Sequence, residues 1–262
     1  MSTGYRHAAA AMALAALALA GRGHAAETAP QAKAVQKPTP PAVAPVTRPS
    51  VPTPVPADPP PPLVTESAMH VTLGAVKRLR SGRFSVTDPK VRMVVPATQD
   101  DAAVTFRYLG ATEKTAPLSS GEVRRQVGLK LRAANGCNVL YAMWRFEPKN
   151  EVVVSLKRND GKTTHAQCGA NGYENVAPER HVAPAPVRVG QSRTLRAKVT
   201  GDRMRVLVDD KVVWEGKLPA KALAFDGPTG MRTDNAKLEL DFRAKSRPAG
   251  VASFLVVASD DD

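Results

Sequence analysis

The stretch from Glu122 to Arg158, EVRRQVGLKLRAANGCNVLYAMWRFEPKNEVVVSLKR, constrains the fold more than any other part of the chain. Apolar and polar residues alternate along it with a period of two, which puts successive side chains on opposite faces of an extended backbone. Val127, Leu129 and Leu131 share one parity, and Gln126, Lys130 and Arg132 the other. Ala133 to Gly136 reads as a turn, because Asn135-Gly136 tolerates the positive φ of a tight hairpin. Asn138 to Phe146 returns, with Leu140, Ala142, Trp144 and Phe146 on the core parity and Tyr141, Met143 and Arg145 opposite. Pro148 to Glu151 turns the chain again, and Val152, Val154 and Leu156 then face inward against Ser155 and Lys157. Three consecutive antiparallel strands are expected.

The same period recurs on both sides. Gly82 to Val86 and Val91 to Val95 are short strand-like pieces around Asp88-Pro89, and Ala102 to Tyr108 alternates. Gly110 to Ser120 reads as a polar loop, Thr163 to Cys168 as a short strand, and Gly169 to Pro186 as irregular chain. A second meander follows. Leu195, Ala197 and Val199 point inward, then Met204, Val206 and Val208, then Val212 to Glu215 returns past a turn at Asp209-Asp210. Gly227-Pro228 marks another turn ahead of Gly230 to Thr233, and Leu238, Leu240 and Phe242 close the pattern. No amphipathic helix of ordinary length occurs after the first residues. Many short strands at this spacing predict an all-β fold, a two-sheet antiparallel sandwich of about 180 residues over 63–245, large enough for its own core.

The ends differ in kind. Arg6 precedes an apolar run from Ala8 to Ala20, shorter than the ~20 residues a membrane span needs and suited to a signal peptide over residues 1–25. Small residues around Gly23-His24-Ala25 offer a cleavage point; a retained N-terminal anchor is the alternative. No cysteine lies near it, so lipoprotein processing is excluded. Thirteen of the 23 prolines fall between Glu27 and Pro62. Such a segment cannot bury enough apolar surface to order itself, so residues 26–62 read as a disordered Pro-rich linker. At ~3.1 Å per residue it reaches on the order of 100 Å when extended, enough to space a domain from an envelope surface; a dispensable tail is the plainer reading. Residues 246–262 form a C-terminal tail, its apolar run too short to cross a membrane. The mature chain is expected to be exported, to the periplasm, the cell surface or the medium, with no transmembrane span.

The net charge is +13, of which Arg6 and Arg22 carry two, leaving +11 after cleavage. That balance favours acidic partners. Nucleic acid is not expected, because the cations are spread along strands with no basic helix or RNA-binding signature. The two cysteines, Cys137 and Cys168, are most simply one disulfide in an exported chain, with two independent thiols as the alternative. A metal site is unsupported: there is no CxxC, and His165 has no clustered partners.

The second meander, TLRAKVTGDRMRVLVDDKVVWEG followed by FDGPTGMRTDNAKLELDF, resembles the closing part of concanavalin A-like jelly rolls. That superfamily includes laminin-G-like domains, legume-type lectins and bacterial secreted sugar-processing domains. Asp209-Asp210 stands where Asp-Gly is usual there, while Gly227, Gly230 and Arg232 fit the approach to the last strand. VGLKLRA and NVLYAMWRF resemble earlier strands of the same fold, so the likeness spans about Arg83 to Arg243. It implies a jelly roll and leaves activity open, since this fold hosts binding modules and enzymes alike.

The resemblance supplies a test for catalysis. Laminarinase-type members carry Glu-x-Asp-x-x-Glu on one strand, which sets two carboxylates at the separation that acid and nucleophile need. Here the match is Glu239-Leu240-Asp241-Phe242-Arg243-Ala244, and Ala244 replaces the final acid. No catalytic residue, cofactor or metal is therefore assigned. Asp209, Asp210, Asp234 and Asn235 sit where laminin-G-like domains hold Ca²⁺, but they read better as turn formers. The candidate ligand-binding residues come from parity: Lys130, Arg132, Tyr141, Arg145 and Lys157 share the non-core face of three strands, and Tyr173 could rim it. An aromatic flanked by cations suits an acidic glycan or cell-envelope polymer. The plainer reading is a solvated sheet face. Two functions remain, an exported non-enzymatic binding module or a secreted glycoside hydrolase or lyase of the same fold.

Overall fold

The computed structural model describes residues 58–248. The expected signal peptide, the linker up to residue 57 and the tail from residue 249 lie outside the described residues.

Two antiparallel sheets pack face to face as a jelly-roll sandwich. One has seven strands in the order β1 (His70–Leu73), β4 (Lys90–Val95), β14 (Thr229–Asp234), β6 (Arg125–Asn135), β7 (Asn138–Glu147), β8 (Glu151–Lys157) and β9 (Tyr173–Asn175). The other has eight, ordered β10 (Arg180–His181), β13 (Lys211–Lys217), β12 (Arg203–Val208), β11 (Ser192–Thr200), β5 (Thr98–Ala111), β15 (Ala236–Ser246), β3 (Phe84–Val86) and β2 (Lys77–Arg78). The inward parities of both meanders are the ones the alternation picks out. Leu129, Leu140, Trp144, Val154, Leu195, Val206, Trp214 and Leu240 all fall in the buried core. Phe106 on β5 meets Trp144 and Phe146 on β7 across the sandwich, with ring centroids 5.7 Å apart in both pairs. The Trp144 indole N–H donates to the Asn150 side chain at 3.0 Å, which satisfies its one polar group.

Two local expectations are corrected. The β6–β7 turn is tighter than Ala133 to Gly136: Asn135 pairs with Asn138 across Gly136 and Cys137, and positive φ falls on neither Asn135 nor Gly136. It falls on Arg132, at φ 52°, inside a bulge between Leu131 and Asn135. Thr163 to Cys168 is not a strand. His165–Cys168 forms one helical turn, α1, and the Gln167 side-chain oxygen accepts from the backbone N–H of Thr163 and Thr164 at its start. The Thr-x-x-Gln signal for such a cap was present in the sequence, and a cap outweighs four residues of weak alternation. A second short helix, α2, spans Ala220–Leu223.

Two glycines mark close backbone approaches. A Cβ on Gly230 would lie 2.1 Å from the Met93 carbonyl oxygen on β4, and one on Gly227 would lie 2.5 Å from the backbone of Ala133. At Gly227-Pro228 the chain docks on the β6 bulge, where Ala133 N–H donates to the Pro228 carbonyl at 2.9 Å. Before β1, residues 58–64 run beside β15 and β11. Ala244 N–H donates to the Pro62 carbonyl at 3.1 Å, and Arg196 donates to the Asp58 carbonyl at 2.7 Å.

Candidate functional site

The outward face of the seven-stranded sheet is not open. Gln126, Gly128 and Lys130 on β6, Val139, Tyr141, Met143 and Arg145 on β7, and Ser155 and Lys157 on β8 share it, as parity requires. Arg92 and Val94 on β4 and Arg232 and Asp234 on β14 continue it. Much of it is buried, and Val94, Ala133, Val139, Tyr141 and Met143 form a second, smaller apolar cluster there. Two chain segments are fastened to this side. Residues 112–124 are held by Asn235, whose side chain accepts from Ala116 N–H at 2.8 Å and donates to the Ala116 and Arg124 carbonyls at 2.9 Å. Residues 158–172 are held by the disulfide between Cys137 and Cys168, and by Asn138, which donates to the Lys162 carbonyl and accepts from Asn159 N–H.

Between these segments lies a cleft of about 270 Å³. Tyr141, Met143, Arg145, Ser155 and Arg232 line it from the sheet, Tyr173 and Asn175 from β9, and Ser119, Ser120, Glu122 and Arg124 from the 112–124 segment. Gly128 makes room for this floor, since a Cβ there would meet the Met143 sulfur at 2.2 Å. The Tyr141 and Tyr173 rings stack at 6.1 Å with 23° between their planes. Tyr141 is buried and Tyr173 is 43% exposed, so the pair offers one aromatic edge to solvent. Arg232 ties the two together: its guanidinium lies 5.5 Å from the Tyr141 ring, and Nη1 donates to the Tyr173 hydroxyl at 3.3 Å.

Beneath the cleft sits a buried ionic knot. Asp234 Oδ2 accepts from Arg232 Nε at 2.9 Å and from Gln126 Nε2 at 2.6 Å, while Oδ1 accepts from Arg92 Nη2 at 2.6 Å. Arg92 also donates to the Thr233 carbonyl at 2.6 Å. Burial alone would push the Asp234 carboxyl up, but the charges of Arg232 and Arg92 and the hydrogen bonds from Arg232 and Gln126 hold it well below the usual carboxylate range. Burial likewise opposes the charge on Arg232, and Asp234 overrides it, so the Arg232 pKa is raised. Two cations against one anion leave a positive charge at the floor. Arg145 pairs with Glu151 at 3.0 Å, and its pKa is lowered first by burial and then by the nearby charge of Arg124. Arg124 itself pairs with Glu122 at the rim.

The sequence candidates divide. Tyr141, Arg145 and Tyr173 come together in the cleft. Lys130 and Lys157 are buried and are not among the residues that line it; Lys157 donates to the Gly136 carbonyl at 2.9 Å and lies 5.2 Å from the Tyr173 ring. Arg132 is displaced by its left-handed backbone. It pairs with Asp100 at 2.6 Å and donates to the Phe225 carbonyl at 2.8 Å, outside the cleft lining. Of the four possible Ca²⁺ or turn residues, Asp209, Asp210 and Asn235 take positive φ as turn formers do. Asp234 is corrected to the last residue of β14, fully buried and engaged by two arginines. Among the described residues no group of three or more His, Cys, Asp or Glu could hold a metal ion. Asp241 pairs with Arg83 at 3.3 Å on the opposite sheet. Arg232 and Gln126 also line the cleft without being sequence candidates; the signal for Arg232 is its place after Gly227 and Gly230 on the approach to the last strand.

The chain matches no protein-family model, and no curated protein matches it. Solved structures do resemble it. The carbohydrate-binding module CBM66 from Bacillus subtilis is 14% identical over 71% of this chain and all of its own length, with a TM-score of 0.47. The Emp46p carbohydrate recognition domain in its metal-free form is 14% identical over 70% of this chain and 89% of its own, at 0.45. A tetrameric galectin from the ball sponge Cinachyrella sp. is 17% identical over 60% of this chain and 99% of its own, at 0.40. The likeness is one of general strand arrangement.

Proposed function

We propose that this domain is a non-enzymatic binding module of an exported protein, and that the cleft on the seven-stranded sheet takes carbohydrate, with acidic glycan or cell-envelope polymer as the preferred class. The observation that carries the reading is the Tyr141–Arg232–Tyr173 arrangement: an exposed aromatic edge beside a buried, permanently charged guanidinium in a cleft lined with short polar side chains. Aromatic edges and faces take the apolar C–H surface of a sugar, and Arg, Ser and Asn side chains take its oxygens. Glu122 is the one carboxylate among the lining residues, and it is paired with Arg124. Glycoside hydrolysis by two carboxylates asks for a facing pair, so the binding reading is preferred to the hydrolase.

The test is titration of the full chain with polygalacturonate, and with a neutral polysaccharide, at two salt concentrations. Tyr173→Ala is expected to weaken binding at both, by ~0.5–2 kcal/mol. Arg124→Ala is expected to act mainly at low salt, because at ~0.15 M the screening length shortens to about 8 Å. Arg132→Ala, outside the cleft, should bind like the parent. If all three variants match the parent, the cleft is not the binding surface.

A further inference from the structure

The three arginines that line the cleft are not equally neutralised. Arg124 pairs with Glu122, and Arg145 pairs with Glu151. Glu151 also meets Lys149, but that side chain is 77% exposed and solvated. Arg232 has to share Asp234 with Arg92. Arg92 is wholly buried, so the charge in excess meets the cleft at Arg232. Within this guanidinium, Nε is engaged by Asp234 and Nη1 by the Tyr173 hydroxyl at 3.3 Å. Nη2 bonds to no described residue, and it is not among the polar atoms that are both sealed from solvent and unpartnered, so it opens into the cleft. The Tyr173 hydroxyl accepts from Arg232 and keeps its own proton, which no described residue accepts. Two donors that the fold does not use therefore stand side by side on one wall, on groups already 3.3 Å apart.

Resting on the carbohydrate reading above, we infer that Arg232 and Tyr173 form the seat of a single carboxylate, and that the acidic sugar is a uronic acid. One carboxylate oxygen accepts from Arg232 Nη2 and the other from the Tyr173 hydroxyl. Both donors belong to planar groups held in place before a ligand arrives, Arg232 by Asp234 and Tyr173 by its stack on Tyr141, so little side-chain freedom is lost on binding. A carboxylate is planar and acceptor-only, with two oxygens for two donors. Its one negative charge balances the one positive charge left over by Arg92, Arg232 and Asp234. A phosphomonoester brings nearly two charges and overshoots that balance. A sulfate ester is tetrahedral and leaves one of its three outer oxygens without a donor on this wall. A methyl ester carries no charge, so the excess at Arg232 stays unmet. The seat thus reads a free carboxylate on the sugar that meets the Tyr173 edge, while Arg124 and Arg145 remain with their own glutamates.

The experiment sets the full chain on a printed array of uronic-acid oligosaccharides, each as free acid and as methyl ester, with sulfated oligosaccharides beside them. The strongest acid and its ester are then titrated in solution. The free acid is expected to bind about tenfold or more above its ester. Tyr173→Phe keeps the stacked ring and removes the hydroxyl proton, and it should bring acid and ester within about threefold of each other. Tyr173→Ala should weaken both. Arg232→Lys keeps a cation beside Asp234 and removes Nη2, with the same loss of preference. Should it also lower the melting transition, Tyr173→Phe and the ester decide the matter. Acid and ester bound alike by the parent, or a full preference kept by Tyr173→Phe, overturns the carboxylate seat. If Tyr173→Ala still weakens binding in that case, the cleft stands as the carbohydrate site. Sulfated oligosaccharides bound as tightly as uronic acids also overturn the seat. No binding by the parent to any glycan overturns both.

Discussion

Replacing Asp234 with alanine will destabilise the domain by ~3–5 kcal/mol, because it strands two buried arginines without their counter-ion. Arg92 is wholly buried and Arg232 is 7% exposed, and both point at this carboxylate. The asymmetry is what makes the effect large: a complete buried pair adds little net stability, whereas a broken one leaves a desolvated charge. Urea denaturation should register a lower midpoint at an unchanged slope. Asp234→Asn, which keeps the shape and part of the hydrogen bonding, should fall between the two. The pH dependence fixes the cause. The folded-state pKa of Asp234 lies well below the unfolded value of ~3.9, so its contribution is complete above that pH and is lost as pH falls toward the folded value. The gap between parent and Asp234→Asn should be flat from neutral pH to about 5 and should close only below about 4. An alanine variant within 1 kcal/mol of the parent would mean that the arginines find other partners, and the knot would lose its role as the anchor of Arg232.

The knot also marks where sequence reasoning reached its limit. Period-two alternation places Val127, Leu140, Trp144, Val154, Leu195 and Phe242 inside with no knowledge of topology, because a strand's two faces are local properties. It also places Tyr141 and Arg145 together, since β6, β7 and β8 are consecutive hairpins. Arg92, Gln126 and Asp234 are a different case. They meet because β14 inserts between β4 and β6, strands far from it in sequence. Asp234 has the residue type of a turn former, yet Asn235 alone takes the positive φ of the turn and Asp234 stays in the strand. Lys130 and Lys157 had the right parity and the wrong exposure. Alternation tells which face a side chain takes; whether a polar loop folds over that face depends on fasteners such as Asn235 and Cys168. Arg132 escaped for a local reason, a bulge that no residue at its own position announces.

The disulfide is the fastener with the largest expected effect on the cleft. Cys137 sits at the β6–β7 turn and Cys168 ends α1, at a sequence separation of 31. On chain entropy alone, opening a loop of that length costs about 4 kcal/mol. The double variant Cys137→Ser/Cys168→Ser should lower the denaturation midpoint by that order, with reduction of the parent giving the same result. The loss should not be uniform. The sheet pairings of β6 with β7 and β7 with β8 do not depend on the bond, whereas residues 158–172 would be left with non-covalent ties such as Asn138 to Lys162 and Asn159 to the Cys137 carbonyl. Amide exchange should therefore accelerate over 158–176 at denaturant concentrations where β6 and β7 stay protected, as expected when one segment opens below the global transition. Tyr173 begins β9 at the end of that segment, and its hydroxyl contact with Arg232 spans the cleft. Glycan binding should consequently weaken in the double variant under conditions where the core remains folded. Exchange that rises equally across the whole domain would instead make the disulfide a global staple, with the Tyr173 side of the cleft held by its β8 pairing alone.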